Sequence, residues 1–97
     1  MPTLDRDGVK IHYEVHGSAP SVILLSHGYS ATSGMWRGQV EALAREHKLV
    51  VLDMRGHGQS DYPADQALYT QDATVEDMAA ILDVVAAKSA IVGGLSL

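Results

Sequence analysis

Cysteine and phenylalanine are absent from these 97 residues, and proline occurs only three times. Without cysteine there can be no disulfide scaffold, no thiolate zinc site and no cysteine nucleophile. Long apolar runs are missing as well. None approaches the ~18 residues of a membrane span, and the start Met-Pro-Thr-Leu-Asp-Arg carries no basic segment followed by a hydrophobic one. Neither a membrane span nor a signal peptide is expected, and the cytoplasm is the default compartment. Positive charge is sparse too: seven Lys and Arg stand against twelve Asp and Glu, a net charge of −5. The basic residues are scattered rather than gathered into a stripe that could track phosphates, so no nucleic-acid partner is expected. Neither G-x-G-x-x-G nor G-x-x-x-x-G-K-[ST] occurs, and His12, His16 and His47 have no metal-ligand spacing; no cofactor and no metal are expected.

The remainder has the composition of a globular domain, 46% apolar and 20% charged. Val9, Ile11, Tyr13 and Val15 alternate with Lys10, His12, Glu14 and His16. That period of two predicts a strand with one buried face, with His12 and His16 on the exposed side. Asp7-Gly8 just before it is a hairpin turn pair, and Thr3 to Arg6 supplies the partner strand. Ser21 to Leu25 and Leu49 to Leu52 are apolar without alternation, as in strands covered on both faces. Between them Trp36, Val40, Leu43 and Ala44 recur at helical spacing, so Trp36 reads as a core residue. Asp61 to Asp72 reads as a loop, and Thr74-Val75-Glu76-Asp77 as the start of a second helix with Val75, Met78, Ala79, Leu82 and Val85 inward. A last apolar run, Ala90-Ile91-Val92, leads into Gly93-Gly94-Leu95-Ser96-Leu97. The order predicts an α/β fold: an antiparallel hairpin leading into a mainly parallel sheet with flanking helices.

In such sheets ligands bind beyond the carboxyl ends of the strands. Three segments lie there: His27-Gly28-Tyr29, Asp53 to Asp61, and Gly94 to Leu97. Gly94-Leu95-Ser96-Leu97 supplies four of the five positions of the nucleophile elbow G-x-S-x-G, a sharp strand-to-helix turn that needs small neighbours. His27-Gly28 follows the first buried strand, and Asp53-Met54-Arg55-Gly56-His57-Gly58-Gln59-Ser60 follows the second.

In these motifs, in this order, the chain resembles the N-terminal portion of an α/β-hydrolase-fold serine hydrolase, and residues 1–97 read as part of a single such domain. The resemblance implies that Ser96 is the nucleophile and that the backbone N–H groups of Tyr29 and Leu97 are oxyanion donors. His27, Gly28 and Gly94 shape the loops around them. It also implies a chain order of Ser, then acid, then His, which disqualifies His27, His57 and Asp53 from the triad. Asp53 is expected to pair with local backbone or with Arg55. The implied substrate is a small ester or lactone, hydrolysed through an acyl-enzyme. The triad acid and histidine would lie in sequence not present, so the 97 residues alone are expected to be inactive. The alternative is a non-catalytic ligand-binding or regulatory protein on the same fold. Ala90 to Val92 would form an exposed edge, and self-association through it is the corresponding expectation.

Overall fold

A computed structural model of the protein describes residues 3–27, 32–85, 87 and 89–94. The alternating segment folds as the expected hairpin, in which β1 (Thr3–Arg6) pairs antiparallel with β2 (Val9–His16). Its turn residues Asp7 and Gly8 both have left-handed backbone, with φ of 54° and 88°. Such turns carry the twist of the strands they join, which accounts for an Asp-Gly pair here. The Asp5 carboxylate secures the turn by accepting the Gly8 N–H at 2.7 Å.

Three further strands extend the sheet: β3 (Val22–Ser26), β4 (Lys48–Leu52) and β5 (Ala90–Gly94). Their order is β1-β2-β4-β3-β5. β2 meets β4 antiparallel, while β4, β3 and β5 run parallel. A 3-10 turn (Ser33–Trp36) and α1 (Arg37–Ala44) connect β3 to β4, and α2 (Gln71–Val84) connects β4 to β5. The chain steps from β3 to one side, then from β4 back across β3 to the other. Right-handed crossovers in opposite directions place their helices on opposite faces of the sheet. Side-chain alternation agrees: Ile23, Leu49 and Val51 pack with Trp36, Val40 and Leu43. Leu24, Val50 and Leu52 face the other way and pack with Ile81, Met78 and Leu82. Covered on both sides, β3 and β4 have no exposed face to fill with polar residues.

Three expectations shift. The second helix begins a turn earlier than Thr74: Thr70 is the cap, its Oγ1 accepting the Ala73 N–H at 3.0 Å. Its inner face is rotated, since Asp77 and Ile81 are buried while Val75 is 56% exposed. The cause is a carboxylate in the inward row. Asp77 accepts from Arg55 at 2.7 and 2.9 Å and from Arg6 Nε at 3.3 Å, which ties α2 to β1 and to the segment after β4. Finally, His12 is 1% exposed and not on an open face. Residues 53–61 run along β2 there, with the His12 carbonyl accepting from Asp53 N–H at 2.9 Å and the Lys10 carbonyl from Asp61 N–H at 2.8 Å. His16, on the same side and further from that segment, is half-buried.

Candidate active site

The parallel strands end side by side. Ser26 is in register with Leu52 on one flank and with Gly94 on the other, so β3, β4 and β5 finish at one end of the sheet, from which His27 and Asp53 leave. The strand order turns about β3, the arrangement that opens a ligand crevice beyond the carboxyl ends.

Of the expected site residues, Gly28, Tyr29, Ser96 and Leu97 lie outside the described residues. His27 and Gly94 lie within them. A Cβ added to Gly94 would make ordinary contact, 3.4 Å, with the Ser26 carbonyl oxygen. The need for a small residue at 94, expected from the elbow, is therefore not imposed by β3.

His27 is fully buried, and its Nε2 accepts the Met54 N–H at 2.8 Å. A ring nitrogen that accepts is unprotonated, so the imidazole is neutral with its proton on Nδ1. Taking up a serine proton at Nε2 would break this bond. The His57 ring lies 4.9 Å from that of His27, centroid to centroid, tilted by 50°. Its Nδ1–H donates to the Arg55 carbonyl at 2.9 Å. His57 also lines a cavity of about 620 Å³ between the segment after β4 and the start of α2, together with Met54, Tyr69 and Met78.

Asp53 organises the segment after β4. Its carboxylate is buried and accepts the Ser33 N–H at 2.7 Å and the Gln59 N–H at 3.0 Å. Burial by itself pushes this carboxyl group up. The backbone N–H groups of Gln59 and Ser33, the Ser33 side chain and nearby His12 more than offset that and hold it below the ordinary value of 3.8. Asp53 thus stays an acceptor across the neutral range. Of the two partners expected for it, backbone is the one found, because the Arg55 guanidinium is drawn off to Asp77. That pairing, ahead of the opposing effect of burial, raises the Arg55 pKa from an already high value.

The spacing of Asp53-x-Arg55-Gly56-His57-Gly58-x-Ser60 follows from this geometry. Gly58 has φ of 50°, and a Cβ there would sit 2.5 Å from the Asp53 carboxyl carbon. Only glycine lets the chain curl around the carboxylate closely enough for Gln59 to donate to it. Ser60, 2% exposed, closes the turn: its hydroxyl donates to the Asp53 carbonyl and accepts the His12 N–H at 2.8 Å. Sequence reasoning missed the parts played by Ser60, His12 and Ser33. The motif itself carried the signal for Ser60, but the other two lie in distant segments. Among the described residues no group of three or more His, Asp or Glu side chains is placed to hold a metal ion.

Comparison with known proteins agrees with this architecture. Residues 21–97 match the family model described as alpha/beta hydrolase fold. An epoxide hydrolase of Caballeronia sordidicola is 38% identical over 89 residues, which cover 91% of this chain and 27% of that protein. The crystal structure of an epoxide hydrolase from Vigna radiata superposes with a TM-score of 0.89 at 28% identity, covering 98% of this chain and 31% of the other. The enol-lactonase from Burkholderia xenovorans LB400 gives 0.87 at 30% identity, covering 98% and 37%. This chain thus spans roughly a quarter to a third of the proteins it resembles. With the sheet order, the crossovers and the motif at the end of β4 all accounted for, the chain belongs to the α/β-hydrolase fold family.

Proposed function

We propose that this chain carries the nucleophile and oxyanion portion of a serine hydrolase acting on small carboxylic esters or lactones. The observation that carries the reading is the position of Gly94, which precedes Leu95-Ser96-Leu97 in sequence. It is the last residue of β5, in register with Ser26, at the end of the sheet from which the segments after β3 and β4 also leave. Ser96 Oγ attacks the substrate carbonyl carbon, and the N–H groups of Tyr29 and Leu97 stabilise the alkoxide that forms. Collapse expels the alcohol and leaves an acyl-enzyme, which water hydrolyses to the acid. The serine proton goes to a histidine oriented by a carboxylate, both later in the full-length protein by the family order. The match to an enol-lactonase supports an ester-type substrate.

The epoxide hydrolases among the relatives favour a second reading, the opening of a strained cyclic ether. Ser96 stands against it. In the similar elbow of those enzymes an aspartate occupies the nucleophile position, and its carboxylate forms the ester that is then hydrolysed.

A cytoplasmic location belongs to the same proposal, as does the absence of nucleic-acid, membrane and cofactor partners; no helix among the described residues is long and apolar enough to cross a membrane. Self-association of the 97-residue chain through β5 is a further part of it. Among the described residues that strand is outermost in the sheet, with Ile91 63% and Val92 55% exposed.

A fluorophosphonate probe tests the central claim on the full-length protein. Labelling at Ser96, lost in Ser96→Ala, together with turnover of an aryl ester is the expected result. Turnover of an epoxide without labelling would favour the second reading. A folded protein with neither activity would favour a non-catalytic binder.

A further inference from the structure

Asp7 and Gly8 form the exposed turn between β1 and β2. Of the eight aspartates in the sequence only Asp7 is followed by glycine, and there is no asparagine. The pair has a chemical weakness. A backbone nitrogen can attack the carboxyl carbon of the side chain before it and close a five-membered imide; the side chain of the following residue ordinarily hinders that approach. Gly8 has none, and a Cβ built there would meet nothing within 4 Å beyond its chain neighbours. The way to the Asp7 carboxyl carbon is therefore open.

Two features of the turn act against the reaction. Asp7 and Gly8 hold left-handed backbone, with φ of 54° and 88°, so closing the ring has to rotate the peptide unit between them out of hairpin geometry. The attacking nitrogen is also engaged, since the Gly8 N–H donates to Asp5 Oδ1 at 2.7 Å. That bond must break first, and the negative charge of Asp5 opposes the charge that builds on the nitrogen as its proton leaves.

We propose that Asp7 is a site of spontaneous conversion to isoaspartate and that the Asp5 carboxylate restrains it. The Gly8 nitrogen bonds to Asp7 Cγ, and its proton leaves with the carboxyl hydroxyl as water. Water then adds to the main-chain carbonyl carbon of Asp7 and the bond from that carbon to the Gly8 nitrogen breaks, so the chain now runs through Cβ and Cγ. No oxidant or cofactor enters, and nothing depends on the hydrolase reading. The extra main-chain atom falls in the turn that sets the register of β1 on β2, from Thr3 opposite His12 to Arg6 opposite Val9. Arg6 Nε also donates to the buried Asp77 at 3.3 Å, so a lengthened turn loosens β1 from β2 and from α2 together.

The test holds the full-length protein in warm, mildly acidic buffer and measures isoaspartate at residue 7 by peptide mass spectrometry with electron-transfer fragmentation. The parent is compared with Asp5→Ala, Asp5→Asn and Asp7→Glu. Glutamate would have to close a larger ring, so Asp7→Glu is the blank. Asp5→Asn keeps an acceptor oxygen and removes the charge, which separates the two parts of the restraint. Isoaspartate is expected to accumulate slowly at residue 7 in the parent and not in Asp7→Glu. The rate should rise about 3- to 10-fold in Asp5→Ala, the range for one hydrogen bond, and by less in Asp5→Asn. Amide hydrogen exchange in β1 distinguishes this from a general loss of the hairpin, because the faster rate must appear while β1 stays paired. No isoaspartate at residue 7 in the parent or in either Asp5 variant overturns the site. Rates in both Asp5 variants at or below that of the parent, or raised only where exchange shows β1 unpaired, overturn the restraint by Asp5.

Discussion

Leu24 of β3 and Val92 of β5 are register partners in one parallel sheet, yet Leu24 is fully buried and Val92 is 55% exposed. Both belong to short apolar runs with no alternation. The difference is in what surrounds them. β3 lies between β4 and β5 and beneath both helices, whereas β5 is paired only to β3 among the described residues. On the β2–β4 side even polar groups are enclosed, among them His12, Asp53, Ser60 and Asp77, and each has partners from distant parts of the chain. A strand's own sequence therefore states that it should be covered, but its neighbours decide whether it is.

If this contrast is sound, the largest losses belong to the enclosed side. Asp77→Ala removes the carboxylate that accepts from Arg55 Nε and Nη2 and leaves that guanidinium, 10% exposed, without its paired counter-charge. A cost of about 3 to 5 kcal/mol is expected from urea denaturation, the range for breaking one side of a buried pair. Leu24→Ala should cost about 2 to 5 kcal/mol through lost burial and the cavity it leaves. Gly58→Ala drives a methyl group into the Asp53 carboxylate and imposes a left-handed φ on an L residue. More than about 1 kcal/mol should be lost, visible as a lower midpoint of thermal unfolding.

Acid separates the two sides in another way. The Asp53 carboxyl is held below its ordinary value, so the folded protein binds the proton more weakly than the unfolded chain. Its contribution to stability is fully present above about pH 4 and is lost as pH falls through the depressed folded-state value. Asp53→Asn should flatten this part of a stability–pH curve, and an unchanged curve would show that another group is responsible.

The smallest effects belong to β5. Val92→Ala should change stability by no more than about 0.5 kcal/mol, and Ile91→Lys by a similar amount. Ile91→Lys should nonetheless shift the 97-residue chain toward monomer in size-exclusion chromatography, because a charge on an exposed edge opposes strand pairing. A loss for Val92→Ala as large as that for Leu24→Ala would erase the contrast.

The hairpin, the buried strands β3 and β4, and the helical segment between them with Trp36, Val40 and Leu43 inward are legible from periodicity and turn chemistry. These signals are local, and the hydrophobic effect acts on them in the same sense in any context. The face of α2 was not legible, because a buried Asp77 cannot be told from a solvated one until Arg6 and Arg55 are brought to it from other elements. The same holds for His12, placed by alternation in solvent but covered by residues 53–61.

At the candidate site the motif from Asp53 to Ser60 was legible as a segment beyond the carboxyl end of β4, while the contacts its residues make depended on partners outside it. The sequence by itself determined most of the elements and their order, because these follow from short-range spacing of apolar and turn-forming residues, while its motifs carried the resemblance to the family. Tertiary structure alone decided that Asp53 binds the Ser33 amide rather than Arg55, that His27 accepts from Met54, and that Asp77 points inward. Hydrogen bonds and ion pairs between residues distant in sequence depend on which strand ends the topology sets side by side, and no local pattern encodes that placement.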